Sequence, residues 1–304
     1  MNKMIKGFII ASFVSIILGF AIMAGVAACG GTGTVKAVMD SGGVGWDENG
    51  FHIGDMVVGN SVIVDTDIDM STAEEVTFAA DELEDLEIHL EAGVFEIKED
   101  AVDQIIVKSS QKVKVSDSGD KLSIKTPDRI KVFGFWHDDA QKVEITLPKG
   151  QEFHTIELEI GAGELDVEAL NAENIILELG AGRIEIKEYQ CEKADIRVGA
   201  GEMIVHNGIA GNMDLQVGMG DFQFRGDVTN ELDAECGMGN MDITLASRET
   251  DYNYKIDCGM GNVSIGNTSY GGAVSSKEID NNAEADFDLE CGMGNISIYF
   301  MNER

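Results

Sequence analysis

The feature that most constrains this chain is a Gly-x-Gly pair that returns at a fixed interval. The pairs are Gly161 and Gly163, Gly180 and Gly182, Gly199 and Gly201, Gly218 and Gly220, Gly237 and Gly239, Gly259 and Gly261, and Gly292 and Gly294. The first four steps are 19 residues each; the next two, of 22 and 33, read as the same unit carrying insertions. A fixed period of this size marks a solenoid, in which one unit cannot cover its own apolar face but stacked units can.

Aligned on the glycines, the units fall into columns. Ile160, Leu179, Val198, Val217, Cys236, Cys258 and Cys291 abut the pair, and a second column, from Leu158 to Leu289, stands two positions earlier. After the pair, apolar columns run from Leu165 to Ile296 and from Val167 to Ile298, with polar residues between them. A spacing of two means strands. Glycine suits the corner because it reaches angles closed to other residues and lets neighbouring corners approach. The expected fold is all-β: a parallel β-solenoid of about seven turns with four stacked aliphatic columns. Each strand pairs with its counterpart in the next turn, about 4.8 Å away. A variable polar loop closes each turn. The only prolines, Pro127 and Pro148, precede the regular turns, as uninterrupted ladders require.

Residues 1–6 form a short basic tail, with Lys3 and Lys6, ahead of 22 uncharged residues from Gly7 to Ala28. A helix of that length spans about 33 Å, enough for a bilayer. The chain is thus expected to carry one N-terminal transmembrane helix (7–28), with the tail in the cytoplasm and the bulk outside. Two rival readings stay open. Val26-Ala27-Ala28-Cys29 fits a lipobox-like pattern that would make Cys29 a lipidated N-terminus, and a cleaved signal peptide would give plain secretion. The length of the apolar run favours the anchor. Residues 29–60 read as a glycine-rich spacer, 61–149 as irregular early coils and a cap, and 150–304 as the regular solenoid. Glu91-Ala92-Gly93 is a degraded corner, Thr268 to Asp286 an expected extruded loop, and Phe133 to His137 an aromatic cluster in a loop.

The glycine corners, the run from Val143 to Gly150 and the hydrophobic N-terminus together resemble the bacterial putative-adhesin family of domains. The resemblance covers most of the chain after Val62. It implies a surface role and brings no catalytic signature.

Acidic residues number 55 against 22 basic ones, a formal charge of −33. Nucleic-acid binding is excluded, since it needs a basic face, and close contact with anionic lipid is disfavoured. The acid reads first as a solvated, aggregation-resistant surface and second as a weak collective binder of Ca²⁺ or of cationic wall components. The calcium-binding nonapeptide roll is rejected, because Gly237-Met-Gly-Asn-Met-Asp places its acid one position late. Cys236, Cys258 and Cys291 read as a core thiol ladder. They change in step with the residue between the glycines, from Ala162, Ala181 and Ala200 to Met219, Met238, Met260 and Met293. Asn240, Asn262 and Asn295 suit a hydrogen-bonded ladder. Cys191 reads as a loop thiol. His137-Asp138-Asp139 is a polar loop rather than a metal site. No elbow, phosphate loop or zincin motif occurs, so catalytic residues, cofactors and metals are all expected to be none.

These readings converge on a non-catalytic, adhesin-like interaction module anchored in a bacterial membrane, its partner an envelope polymer or protein. An accessory component of an envelope-stress or signalling system, acting through a membrane partner, is the alternative. An enzyme on envelope polysaccharide is the third.

Overall fold

The computed structural model describes residues 44–47, 50–53, 56–58, 70, 73–81, 83–126, 141–271 and 275–301. The apolar segment 7–28, Cys29 and the aromatic and histidine motifs at 133–139 lie outside them. Among the described residues no helix is long and apolar enough to cross a membrane. The chain divides into two units, ending and beginning at Val58 and Gly59.

The first unit is not wholly a spacer. β1 (Val44–Asp47), β2 (Gly50–Ile53) and β3 (Met56–Val58) form a three-stranded antiparallel sheet. Glu48-Asn49 and Gly54-Asp55 leave two residues between strands, which is hairpin spacing. Reading this stretch by glycine content hides it.

Among its described residues the second unit has β-strands and one 3-10 turn at Glu249–Asp251 as its regular structure. It opens with β4 (Glu74–Ala79), β5 (Asp85–Asp100), β6 (Gln104–Ser109), β7 (Lys114–Asp117), β8 (Lys121–Lys125) and β9 (Gln141–Pro148). The regular middle is β10 (Phe153–Val198), β11 (Glu202–Val217), β12 (Asp221–Cys236) and β13 (Asn240–Leu245). The chain ends with β14 (Tyr252–Cys258), β15 (Asn262–Ile265), β16 (Thr268–Gly271), β17 (Ser275–Ile279), β18 (Ala285–Cys291) and β19 (Asn295–Phe300). All sixteen strands join one solenoid-like sheet that winds through the corners.

The middle coils stack in parallel 19 residues apart, with one single-residue slip where Gly208–Ala210 meet Gly226–Val228: Ile184 faces Met203, then Phe222, then Met241. The core is wider than four columns. In the coil from Gly182 to Gly199, Ile184, Ile186, Tyr189, Cys191, Ala194, Ile196 and Val198 are all buried. The expected polar loop is itself paired strand, from Glu188↔Asn207 to Cys191↔Ala210. Its alternation is real, but its inward residues are tyrosine, cysteine and alanine rather than aliphatics. Cys191 is therefore a core residue, and burial pushes its thiol up to about 11.

Both ends depart from chain order. At the first, β8 and β9 pair in parallel with the two halves of β5, which in turn pairs with β10. The later segment thus lies outside the earlier one. Antiparallel β7 and β6 flank it, and β4 adds to β6. At the second end, β12 and β13 pair with β18 and β19. Those pair with β14 and β15, which finish on antiparallel β17 and β16. The coil of Gly292 therefore sits between those of Gly237 and Gly259, not at the end of the stack.

The Thr268–Asp286 insertion is correspondingly not an extruded loop. It supplies β16 and β17, which pair with strands that would otherwise be open edges. Short turns suffice for such antiparallel additions, whereas another parallel strand needs a whole crossover. Aromatic residues fill this end. Phe287 lies 4.2 Å from the ring of Tyr252 and 5.8 Å from that of Tyr254, and Tyr252 lies 6.4 Å from Phe300. Tyr252 donates to Asp227 at 2.7 Å, tying the outer coil back to β12.

Candidate functional site

The Gly-x-Gly edge is where the repeat presents its corners. A Cβ on Gly180 would fall 2.5 Å from the carbonyl oxygen of Gly161, and one on Gly199 2.7 Å from that of Gly180. Gly201 stands against Gly182 in the same way, and Gly218 against Gly199. Past Gly220 and Gly239 the contacts run on to Gly294 and then Gly261, and along the first-glycine row from Gly237 to Gly292 and then Gly259. Close approach is thus the general reason for glycine. Backbone conformation adds to it at only two of the fourteen sequence-selected positions, Gly163 (φ 135°) and Gly182 (φ 102°). From Gly199 onward the corner is a bend with ordinary angles.

Beneath these corners lie the thiols. Cys236, Cys291 and Cys258 are buried, adjacent in register in that order, and free. Cys236 and Cys291 each donate a hydrogen bond of 3.1 Å to the second glycine of their own corner, Gly239 and Gly294. The thiols therefore face into the corner, away from solvent. Just past the glycines, Asn295 donates to Asn240 at 2.9 Å and Asn240 to Asp221 at 2.7 Å. Asn262 does not extend this ladder. It donates to Ser264 and accepts from Ser269 on β16.

On the outside of the same corners stand the methionines. Met219, Met238, Met293 and Met260 are 50%, 48%, 54% and 74% exposed, and they make up four of the seven large exposed apolar residues among those described. Backbone bonds hold them in line: Met238 donates to Gly218, Met293 to Gly237 and Met260 to Gly292.

Charge along the strands that lead into the corners changes from coil to coil. In the early coils carboxylates have bases beside them. Glu87 is paired with Lys125 at 2.7 Å and Lys121 at 3.1 Å, and His89 bridges Glu87 and Glu159. Partial burial works against ionised Glu87, but hydrogen bonds from Lys125, Lys121 and His89 outweigh it and hold the carboxyl down to about 2. Arg197 pairs with Asp195 and Glu178. In the last coils the register instead sets Asp233 beside Asp288, and Glu235 beside Glu290, which is followed by Asp257. The one base on the stretches 231–236, 252–258 and 285–291, Lys255, lies 2.6 Å from Asp288 and 3.7 Å from Asp257. Placing residues 286–291 against 231–236, 55 residues earlier in the chain, is what gathers the acid. A signal was present: Glu235, Asp257 and Glu290 each stand directly before a Cys-Gly-Met-Gly-Asn run.

Among the described residues two side-chain groups are close enough to share a cation, Glu87–His89–Glu157 and Asp257–Asp288–Glu290. In the first, Glu87 already holds Lys121 and Lys125, and in the second Asp288 and Asp257 hold Lys255, so ammonium groups of the chain itself partly neutralise both. At the other bend of the coils runs an open groove lined by residues such as His154, Cys191, Ile209 and Asn230. His154 there pairs with Glu173 at 2.9 Å.

The Toastrack DUF4097 family model matches residues 83–290. The chain belongs to this family. The Toastrack match runs from just before β5 into β18. No curated protein matches the chain. Among solved structures, the Toastrack protein is similar to a putative adhesin from Bacteroides fragilis, with 12% identity over 75% of this chain and 97% of that one and a TM-score of 0.40. It is also similar to a putative cell adhesion protein from Clostridium sporogenes, with 12% identity over 75% and 99% and a TM-score of 0.31. A putative lipid binding protein from Parabacteroides distasonis shares 14% identity over 76% and 98%, with a TM-score of 0.36.

Proposed function

We propose that this Toastrack protein is a non-catalytic, adhesin-like interaction module, tethered by residues 7–28 with its solenoid outside the cytoplasm. The observation that carries the reading is the surface itself. Outward side chains repeat in register over successive coils, as from Asp214 to Asp233 to Asp288, so that the molecule offers long ordered rows in place of a pocket with converging groups. Such rows suit an extended partner, because a stack of coils keeps their spacing rigid. Family membership supports the reading, as do the adhesin descriptions borne by similar structures.

Photo-crosslinking in intact cells tests it, with the reactive group placed on outward positions along the solenoid. The expected product is a covalent adduct with an envelope polymer or a protein exposed outside the cytoplasm. A membrane kinase or transporter as the main adduct would favour the signalling alternative. Absence of any adduct at all positions would remove the interaction reading.

A further inference from the structure

We infer that the methionine row on the last four coils, with the acid beside it, is a docking ridge for a basic amphipathic helical segment of a partner protein. This rests on the interaction reading above and names its site and partner chemistry.

Three observations meet at this edge. Met219, Met238, Met293 and Met260 are about half exposed or more, in line, on neighbouring coils. The equivalent positions of earlier coils hold Ala162, Ala181 and Ala200, so the corner does not itself require a long side chain. A soluble surface gains nothing from clustering apolar side chains, and such rows mark contact sites. Methionine in particular, unbranched and polarisable, adapts to partners of differing shape.

The acid decides which partner. Glu235, Glu290 and Asp257 lie three residues before Met238, Met293 and Met260, and Asp221 and Asp242 lie on the strands that leave the corners. Lys255 is the one base on the stretches 231–236, 252–258 and 285–291. A second copy of this chain would bring the same carboxylates against themselves. A partner with basic residues flanking an apolar stripe meets attraction on both counts. The spacing also agrees. Coils repeat about every 4.8 Å, so the row is about 14 Å long. A helix rises about 5.4 Å per turn, so apolar residues one turn apart fall close to successive methionines.

The test uses the full chain in detergent and two synthetic helical peptides of equal positive charge, one with a Leu stripe opposite Lys and one with Ala in place of the Leu. Affinity is read by fluorescence anisotropy. The Leu-striped peptide should bind the wild type at least about ten-fold more tightly than the Ala peptide, in keeping with a few buried methylenes at the contact. Met238→Ser with Met293→Ser should abolish that difference, whereas Met→Leu at the same two positions should keep it. Both positions are surface ones, so folding is checked by an unchanged thermal midpoint. Equal binding of the two peptides, or full binding by the folded Ser variant, would overturn the ridge. If cellular adducts form only from other positions, the ridge fails while the interaction reading stands; if none form anywhere, both fail.

Discussion

At the scale of single residues, the corner glycines and the core thiols differ in how much substitution they tolerate. Gly182 has a left-handed backbone and the carbonyl of Gly163 where a side chain would begin. Gly182→Ala should therefore cost about 3 kcal/mol or more, combining backbone strain with a clash that neither strand can relieve. Cys258→Ala removes one buried atom and should cost about 1–2 kcal/mol. Urea unfolding of the two variants checks the ranking, and equal losses would contradict it. Glu87 gives a pH signature. Its folded carboxyl is held at about 2, below its ordinary value of 4.5. Its contribution is thus fully present above 4.5 and is lost as pH falls toward 2. Glu87→Gln should destabilise the protein at neutral pH and make little difference below pH 2, as read from unfolding midpoints across that range. The columns around the glycines were legible in the sequence because aliphatics at spacing two say strand. The role of Glu87 was not, because its lysine partners come from β8, 34 and 38 residues away.

At the scale of elements, the ends carry the account. β19 lies between β13 and β15, so the C-terminal strand is an interior strand. Removing Tyr299 onward takes Phe300 out of the aromatic cluster with Tyr252 and should destabilise the last coils, not merely uncover an end. Phe300→Ala alone should cost about 3–5 kcal/mol by thermal or urea unfolding. The covering role belongs to β16 and β17. Thr268→Pro together with Lys277→Pro should peel them away by removing ladder donors to Ile265 and Ile256, leaving β14 and β15 as open edges. The variant should then associate at concentrations where the wild type sediments as a single species, and an unassociated variant would show that these strands are not the cap. The repeat and its corners told the sequence reader that coils stack. They could not tell the order, because every coil presents the same columns, and pairing of 231–236 with 286–291 satisfies the pattern as well as pairing with 253–258 would. What chose between them are aromatic contacts and antiparallel edge strands, and neither leaves a periodic trace.

At the scale of the whole molecule, a formal charge of −33 must act against compactness through self-repulsion. Added monovalent salt should raise the thermal midpoint, most steeply below about 0.1 M, where the Debye length still exceeds about 10 Å. A midpoint indifferent to salt would mean that local ion pairs already balance the field. The same charge pattern, read along the strands, shows why the last coils differ from the first: bases accompany the acid up to Arg197 and then thin out. Sequence order alone would set Lys255 beside Asp233 and interrupt the acid; the observed order sets Asp288 there. The unbroken acid beside the methionine ridge and the cap both depend on that one exchange of coils. It is tested most directly by continuous-wave EPR on nitroxide pairs at the corner tips, introduced as Met238→Cys with Met293→Cys and as Met238→Cys with Met260→Cys, the native core thiols being buried. The account predicts the stronger dipolar broadening for the first pair, one coil step of about 4.8 Å against two. Stronger broadening for the second pair would mean that the coils follow chain order, and would contradict it.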